Sequence, residues 1–325
     1  MELNITEVIH RYQEPLSVDA AVSALGDDAV LVAGGTWVMR APLRDEDNAK
    51  AFVSLAKIPE LQAVSADDTS FHLGALVTHH TLAAKAEQLP EMSALAQAAG
   101  QSASPAIRRA ATLGGNICTQ GFAAADLVPE LIALNAVAEL QSASGTTALN
   151  VEEYIQARGD RPSDEILTHV HILRLPGRSA HVRGLLRQAG EYPVATASVY
   201  LELDGIDQIA ALRIAVGAVE AVPKRWRALE DALIGQQFST QSISALAQSL
   251  MDGFTPRDGV DAQGWYRLRV LPQLVAQAFA DLASQMERPL FRSPFQCSVF
   301  FIRNGANSTP PAYRPDIQAR CGECG

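Results

Sequence analysis

Two glycine pairs about 80 residues apart constrain this chain more than any other feature of it. The first lies in Leu31-Val32-Ala33-Gly34-Gly35-Thr36-Trp37, where the apolar run Ala29-Val30-Leu31-Val32 reads as a buried strand ending in a tight turn. Residues without Cβ at that corner let backbone N–H groups approach an anion closely, and Thr36 adds a hydroxyl donor. A glycine pair after a strand also serves as a plain turn, so this pair alone leaves both readings open. The second pair, in Thr112-Leu113-Gly114-Gly115-Asn116, again has a threonine nearby and a side-chain amide beside it. Two anion cradles suit a dinucleotide. Neither GxGxxG nor GxxxxGK[ST] occurs, which argues against a Rossmann NAD site and against a nucleotide triphosphatase.

Around these corners the pattern is that of mixed helix and sheet. Strands are expected at Phe52 to Leu55 and Phe71 to Leu76, and an Ala-rich helical stretch from Leu82 to Gly100. Asp126 opens LVPELIALNAVAEL, which begins with helix character and ends as a strand. Residues Ser142 to Ser163 turn polar, and a strand from Ile166 to Leu175 ends at Pro176-Gly177, where we place a domain boundary. Beyond it, from Val182 on, strands Ala195 to Leu203 and Ala211 to Val219 precede amphipathic helices Arg227 to Ile234, Ser242 to Met251 and Trp265 to Gln285. The expected division is residues 1–177, 178–287 and an irregular tail, 288–325.

Composition removes several classes of function. With 36 acidic against 26 basic residues and no Lys/Arg stripe, the chain lacks the cationic footprint that nucleic acid requires. No stretch approaches the roughly 18 apolar residues of a membrane span, and the first residues lack the pattern of an export signal. Cys118, Cys297, Cys321 and Cys324 are too few and too unevenly placed for a disulfide framework, which fits a reducing compartment, and a cytoplasmic protein is expected. The terminal CxxC of Cys321 and Cys324 is half a metal site at best. His72, His79 and His80 are expected to be exposed loop histidines, since no carboxylate or thiol joins them at ligand spacing.

AGGTW, IRRAATLGGN and ADLVPELIALNA, in that order, resemble the FAD-binding (medium) subunit of the xanthine dehydrogenase and carbon monoxide dehydrogenase family of molybdenum hydroxylases. The similarity runs on through EILTHVHILRLP, LLRQAGEYPVA, LRIAVGAVEAVPKR and WYRLRVLPQLV, and so covers residues 5 to 285. It implies an α+β fold: a two-lobed FAD-binding domain of the PCMH type, then a smaller C-terminal domain with a three-stranded antiparallel sheet and helices. It also implies FAD as cofactor, and as partners a large molybdopterin-containing subunit and a small [2Fe-2S] subunit. The flavin would take electrons from the clusters and pass them to NAD or another acceptor. A free-standing FAD oxidoreductase and a non-catalytic assembly subunit are the competing readings.

Carried over by motif, Leu31, Val32, Ala33, Gly34, Gly35, Thr36, Trp37 and Val38 look like the loop over the pyrophosphate. Thr112, Gly114, Gly115 and Asn116 are similar to the family's second cofactor loop. Asp126 resembles a flavin-contacting carboxylate, with a sugar hydroxyl the sensible partner because a phosphate would repel it. Helix N-capping is its other reading. Leu167 matches a position packed near the flavin. Arg187 matches a cation near the isoalloxazine, or else is a solvated strand residue. Tyr192 matches an aromatic lying against that ring, or else is a core tyrosine. No catalytic acid, base or nucleophile and no metal ligand is assigned. The loop Thr119 to Ala125 departs from the family's form, being one residue longer and lacking its proline; with Cys118 as its lone cysteine it offers no iron-sulfur cluster.

Overall fold

The apolar run before the first glycine pair is a strand, and its partners define the first lobe. The computed structural model describes residues 12–26, 29–46, 51–86, 89–162, 164–186 and 191–287. Strand β1 (Tyr12–Gln13), helix α1 (Val18–Ala24) and strands β2 (Ala29–Val32) and β3 (Ala51–Ser54) come first, the strands forming a parallel sheet in the order β1-β3-β2. Ser17 starts α1 by accepting from the Ala20 amide. That helix buries Ala21 and Val22 against Val53, Leu55, Ile58 and Leu61. Because β2 is an edge strand, the glycine loop that follows it leaves the sheet freely and enters a 3-10 helix, Val38–Arg44.

The second lobe contains β4 (Val64–Ala66), β5 (Ser70–Gly74), α2 (His79–Ala86), α3 (Ser93–Gln101), α4 (Pro105–Arg108), α5 (Leu113–Cys118) and α6 (Leu127–Ala133). It is completed by β6 (Val137–Ser142), β7 (Gly145–Asn150), α7 (Val151–Ala157) and β8 (Ile166–Leu173). Its strands make an antiparallel sheet in the order β4-β5-β8-β6-β7. Leu73 and Val170 from the sheet pack with Leu95, Leu113 and Leu131 from the helices. The helix expected over Leu82 to Gly100 is two helices, since Pro90 opens a 3-10 turn and has no amide with which to continue the first. Strand β7 and helix α7 were not anticipated in the polar stretch. No residue of β7 is buried, so its sequence has no alternation to reveal it.

The last unit holds β9 (Arg178–Gly184), β10 (Ala195–Leu203), β11 (Ile209–Gly217), β12 (Lys224–Arg225), α8 (Arg227–Leu233), α9 (Ile243–Ser249) and α10 (Gly264–Met286). Three long antiparallel strands, as expected, are joined by the two-residue β12 at the edge, in the order β12-β11-β10-β9. Alternation divides the sheet by chemistry. Val199, Leu201, Ile214 and Val216 face α10 and its Leu271, Val275 and Phe279. The opposite face carries Ser179, His181, Arg183, Thr196, Ser198 and Arg213, and packs against α3 and α6 of the preceding lobe.

Two buried groups govern this unit. Arg267 of α10 is fully buried and donates to the carbonyls of Val194 (2.7 Å), Arg257 (3.1 Å), Ala218 and Ala262 (both 3.2 Å), while pairing with Asp261 at 2.8 Å. Glu130 of α6 is fully buried beneath the polar face, and neither of its oxygens makes a well-formed hydrogen bond among the described residues. Burial pushes its carboxyl up to about 8, with the hydroxyls of Ser179 and Ser198 pulling the other way. Burial likewise takes the His181 imidazole down to about 3, with Arg183 adding to the effect, so both groups are neutral at pH 7.

Arg267→Met should lower stability by about 3 kcal/mol, because several carbonyls and Asp261 lose their donor in one step; urea unfolding measures this. The proton that Glu130 retains only when folded stabilises the protein fully below about pH 4.5, and that contribution is lost as pH rises through about 8. Glu130→Gln, neutral throughout, should therefore flatten the fall in unfolding free energy across that window. Parallel profiles for the two proteins would mean that Glu130 is ionised in the fold.

Candidate functional site

The first glycine loop is held by a backbone-to-backbone contact. A Cβ on Gly34 would lie 1.7 Å from the Ala110 carbonyl oxygen, so no other residue lets this loop meet the 110–111 segment. Gly35 has φ +69°, in the left-handed region that favours glycine. The amides of Gly34, Gly35, Thr36 and Trp37 donate to no acceptor among the described residues. Four donors are thus available at one corner.

The second glycine pair is built differently from the expected second cradle. Leu113 N donates to Val77 O (2.9 Å), Gly114 N to Ala75 O (2.7 Å) and Asn116 N to Thr112 O (2.9 Å). Gly115 N donates to Thr112 Oγ1 at 3.1 Å, the threonine acting as N-cap of α5. Gly114 is required for packing: its Cβ would stand 2.9 Å from that of Ala75. This loop therefore contributes shape and side chains rather than free backbone donors.

Asp126 does not cap α6. Its backbone is helical, with φ −63° and ψ −35°, and its side chain makes no capping bond. Asn116 takes that role, its Oδ1 accepting from Leu127 N at 3.1 Å. The Asp126 carboxylate is left to Arg183, with Nε to Oδ1 at 2.7 Å and Nη2 to Oδ2 at 3.3 Å, the two side chains being 7% and 3% exposed. Arg183 also donates to Gln101 O (2.6 Å) and Glu191 O (3.1 Å). Burial pushes the Asp126 carboxyl up to about 6 against the pull of Arg183, which leaves it ionised and paired at neutral pH.

These elements surround a cleft of about 940 Å³, at the upper end of the range for ligand sites. Leu31, residues 33–38, Thr112, Gly114, Gly115, Asn116, Asp126, Leu167 and Tyr192 all line it. Val32 does not; it is buried, and its carbonyl accepts from Leu55 N at 3.0 Å. Arg187 lies outside the described residues, as do Cys297, Cys321 and Cys324.

An aromatic series crosses the cleft. Phe122 lies 4.8 Å from Trp37 and meets Tyr192 edge-on at 5.5 Å. Tyr192 is 48% exposed, which removes its reading as a core residue. Arg44 stacks over Trp37 at 4.1 Å and is held there by Glu46 at 2.7 Å, which raises the affinity of the guanidinium for its proton. Phe122, Arg44 and Arg183 were missed in the sequence. Only Phe122, beside Gly121 in the divergent loop, left a signal there. The histidine expectation also fails. His79 is buried, lines the cleft and bonds Ser102 Oγ through Nδ1 at 2.7 Å, while His72 sits on β5 facing His171, with Asp67 Oδ2 at 3.0 Å from its Nε2.

Comparison with known proteins agrees with this geometry. Residues 6–173 match the family described as the FAD binding domain in molybdopterin dehydrogenase, and residues 180–282 match the CO dehydrogenase flavoprotein C-terminal domain. The xanthine dehydrogenase FAD-binding subunit of Escherichia coli is 26% identical over 278 residues, covering 83% of this chain and 94% of that protein. Subunit alpha of the 6-hydroxypseudooxynicotine dehydrogenase complex of Paenarthrobacter nicotinovorans is 27% identical over 270 residues, 81% of this chain and 91% of that one. In fold, carbon monoxide dehydrogenase from Hydrogenophaga pseudoflava superposes with a TM-score of 0.78 at 23% identity, over 85% of this chain and 97% of that chain. Free amides at a glycine corner, in a cleft of this capacity, fit the pyrophosphate of a dinucleotide. The chain belongs to the FAD-binding subunits of the molybdopterin-dependent dehydrogenases, an oxidoreductase component whose cofactor is FAD.

Proposed function

We propose that this chain holds FAD in the cleft and passes electrons from the [2Fe-2S] clusters of a small partner subunit to NAD or another acceptor. In this reading a separate, large molybdopterin-containing subunit oxidises the substrate, within the cytoplasm. The observation that carries the reading is the run of amides from Gly34 to Trp37 without an acceptor among the described residues, set in a cleft lined by the rings of Trp37, Phe52, Phe122 and Tyr192. Relatives named as the medium chain of carbon monoxide dehydrogenase and the medium subunit of nicotine 6-hydroxylase support a role within a larger complex.

The flavin, when bound, supplies the exchange between one-electron and two-electron chemistry. The protein supplies position and field. Amides of residues 34–37 and the Thr36 hydroxyl would donate to the pyrophosphate oxygens. Thr112, Gly114, Gly115 and Asn116 shape the wall opposite, and Leu31 with residues 33–38 forms the near wall. Asp126, kept ionised by Arg183, would accept from a sugar hydroxyl. Leu167 and the rings of Trp37, Phe122 and Tyr192 offer apolar faces against which a flat ring system packs and sheds water. Arg187 is the cation that the resemblance assigns to the isoalloxazine end, where positive charge favours an anionic reduced ring.

An absorption spectrum of the purified chain, before and after acid release, should show flavin bands and an FAD-sized product. A colourless protein that also fails to take up added FAD would overturn the assignment. Gly34→Ala should abolish flavin retention and cost about 1–3 kcal/mol of stability, because its methyl group collides with Ala110. Gly26→Ala, where an added Cβ meets nothing within 4 Å, should retain both.

A further inference from the structure

The five-stranded sheet carries a row of ring nitrogens and carboxylates that takes no part in the cleft. His72 on β5 and His171 on β8 are direct cross-strand partners, and their Nδ1 atoms stand 2.8 Å apart. Each ring turns its other nitrogen to a carboxylate: His72 Nε2 lies 3.0 Å from Asp67 Oδ2, and His171 Nε2 lies 3.2 Å from Glu139 Oε2. His169, two residues before His171 on the same face, places Nδ1 3.2 Å from the second Glu139 oxygen. The histidine side chains are between a quarter and a third exposed, so ions reach them from solvent.

Proton accounting decides what can lie between the two rings. Asp67 Oδ1 accepts from the Thr69 amide (2.7 Å), the Thr69 hydroxyl (2.8 Å) and the Ser70 amide (2.8 Å), the surroundings of an ionised acceptor. Glu139 Oε1 accepts from the Thr168 hydroxyl at 2.8 Å and likewise faces donors only. An ionised carboxylate only accepts hydrogen bonds, so both Nε2 atoms carry their protons. In two neutral rings both Nδ1 atoms are then bare lone pairs that face each other and repel. A positive charge placed between them removes the conflict.

We propose that His72 and His171 bind a divalent transition-metal ion of the zinc, copper or nickel class through their Nδ1 atoms, with water completing the coordination. Imidazole nitrogen suits these ions, whereas magnesium and calcium take oxygen ligands. Asp67 and Glu139 occupy the outer positions from which carboxylates fix the tautomer of a metal-bound histidine and raise its basicity. Among the described residues no group of three or more metal-ligating side chains converges, so the protein supplies two nitrogens and the remaining positions stay open. Zinc–nitrogen bonds of about 2.0–2.1 Å set tetrahedral ligands about 3.3 Å apart, which asks the two rings to open by about half an ångström. Side chains on an exposed sheet face allow that movement.

The test uses the full chain with Cys321→Ser and Cys324→Ser, so that the terminal thiols bind nothing. Calorimetric titration with zinc chloride should show one ion per chain, and with copper(II) chloride an electron paramagnetic resonance spectrum split by two imidazole nitrogens. His72→Ala and His171→Ala should each weaken binding at least about tenfold, and Glu139→Gln by about tenfold through the outer shell. His80→Ala, exposed and outside the row, should change nothing. Thermal unfolding of each variant runs in parallel, with His72→Asn and His171→Asn replacing any alanine variant that fails to fold. Equal binding in the parent and the His72→Ala, His171→Ala double variant overturns the proposal. So does a parent that takes up no metal, which would leave a shared proton as the charge between the rings.

Discussion

The cleft depends on one buried ion pair. Arg183 reaches from β9 to Asp126 at the start of α6, and the same guanidinium holds the carbonyl of Gln101 at the end of α3 and that of Glu191 beside Tyr192. Removing two charges from water costs several kcal/mol per ion, and attraction alone rarely repays it. Here the fork of the guanidinium is filled by a carboxylate and two carbonyls, so little of its hydrogen-bonding capacity is wasted. Four segments are fixed to one another as a result. The pair is also poised: Asp126 titrates near 6, so its charge at neutral pH exists because Arg183 is there, and a carboxylate without that partner would rise further and protonate.

What surrounds the pair is polar by design of the sheet. The alternation that sends Val199, Leu201 and Ile214 toward α10 necessarily sends Thr196, Ser198 and Arg213 toward α3 and α6. An apolar seam would have been the stronger contact, but it would have tolerated sliding. Directional groups do not: Arg213 donates to Ala133 O at 2.5 Å while stacking over Tyr200 at 4.1 Å, and His181 meets Ser198 Oγ at 2.7 Å. Stability thus rests on the three apolar clusters, and register on the polar seam that carries the cleft walls.

Much of this was legible because it is local. Ala29–Val32 is a four-residue apolar run closed by glycines, α10 is a long amphipathic repeat, and the ordered motifs reported the family and its cofactor. What escaped the sequence is set by partners distant along the chain. Gly114 and Gly34 look alike in their motifs, yet the amides around Gly114 are claimed by Val77 and Ala75, nearly forty residues away, and those around Gly34 are not. Asp126 stands where a cap is expected, and only the fold shows that Asn116 has taken the position. Arg183 reads as one more residue of a strand. His72 was grouped with its chain neighbours, whereas its partner in space is His171, on a strand that the fold alone brings beside it.

The two glycine loops differ in what their backbone donors do, and the proposed phosphate contacts rest on the first loop alone. The second loop opens a helix, and its donors are consumed in docking that helix and in its own first turn. The first follows an edge strand that has no neighbour to accept them. Residues 34–37 are partly buried on the cleft wall, and the shape of their loop is fixed by contact with the 110–111 segment. The collision that any side chain at position 34 would make with Ala110 is the mark of that fixation. An anion that bound those amides in the folded state alone would, by mass action, stabilise the fold. In the proposed reading, this corner is therefore where cofactor binding and folding would reinforce each other.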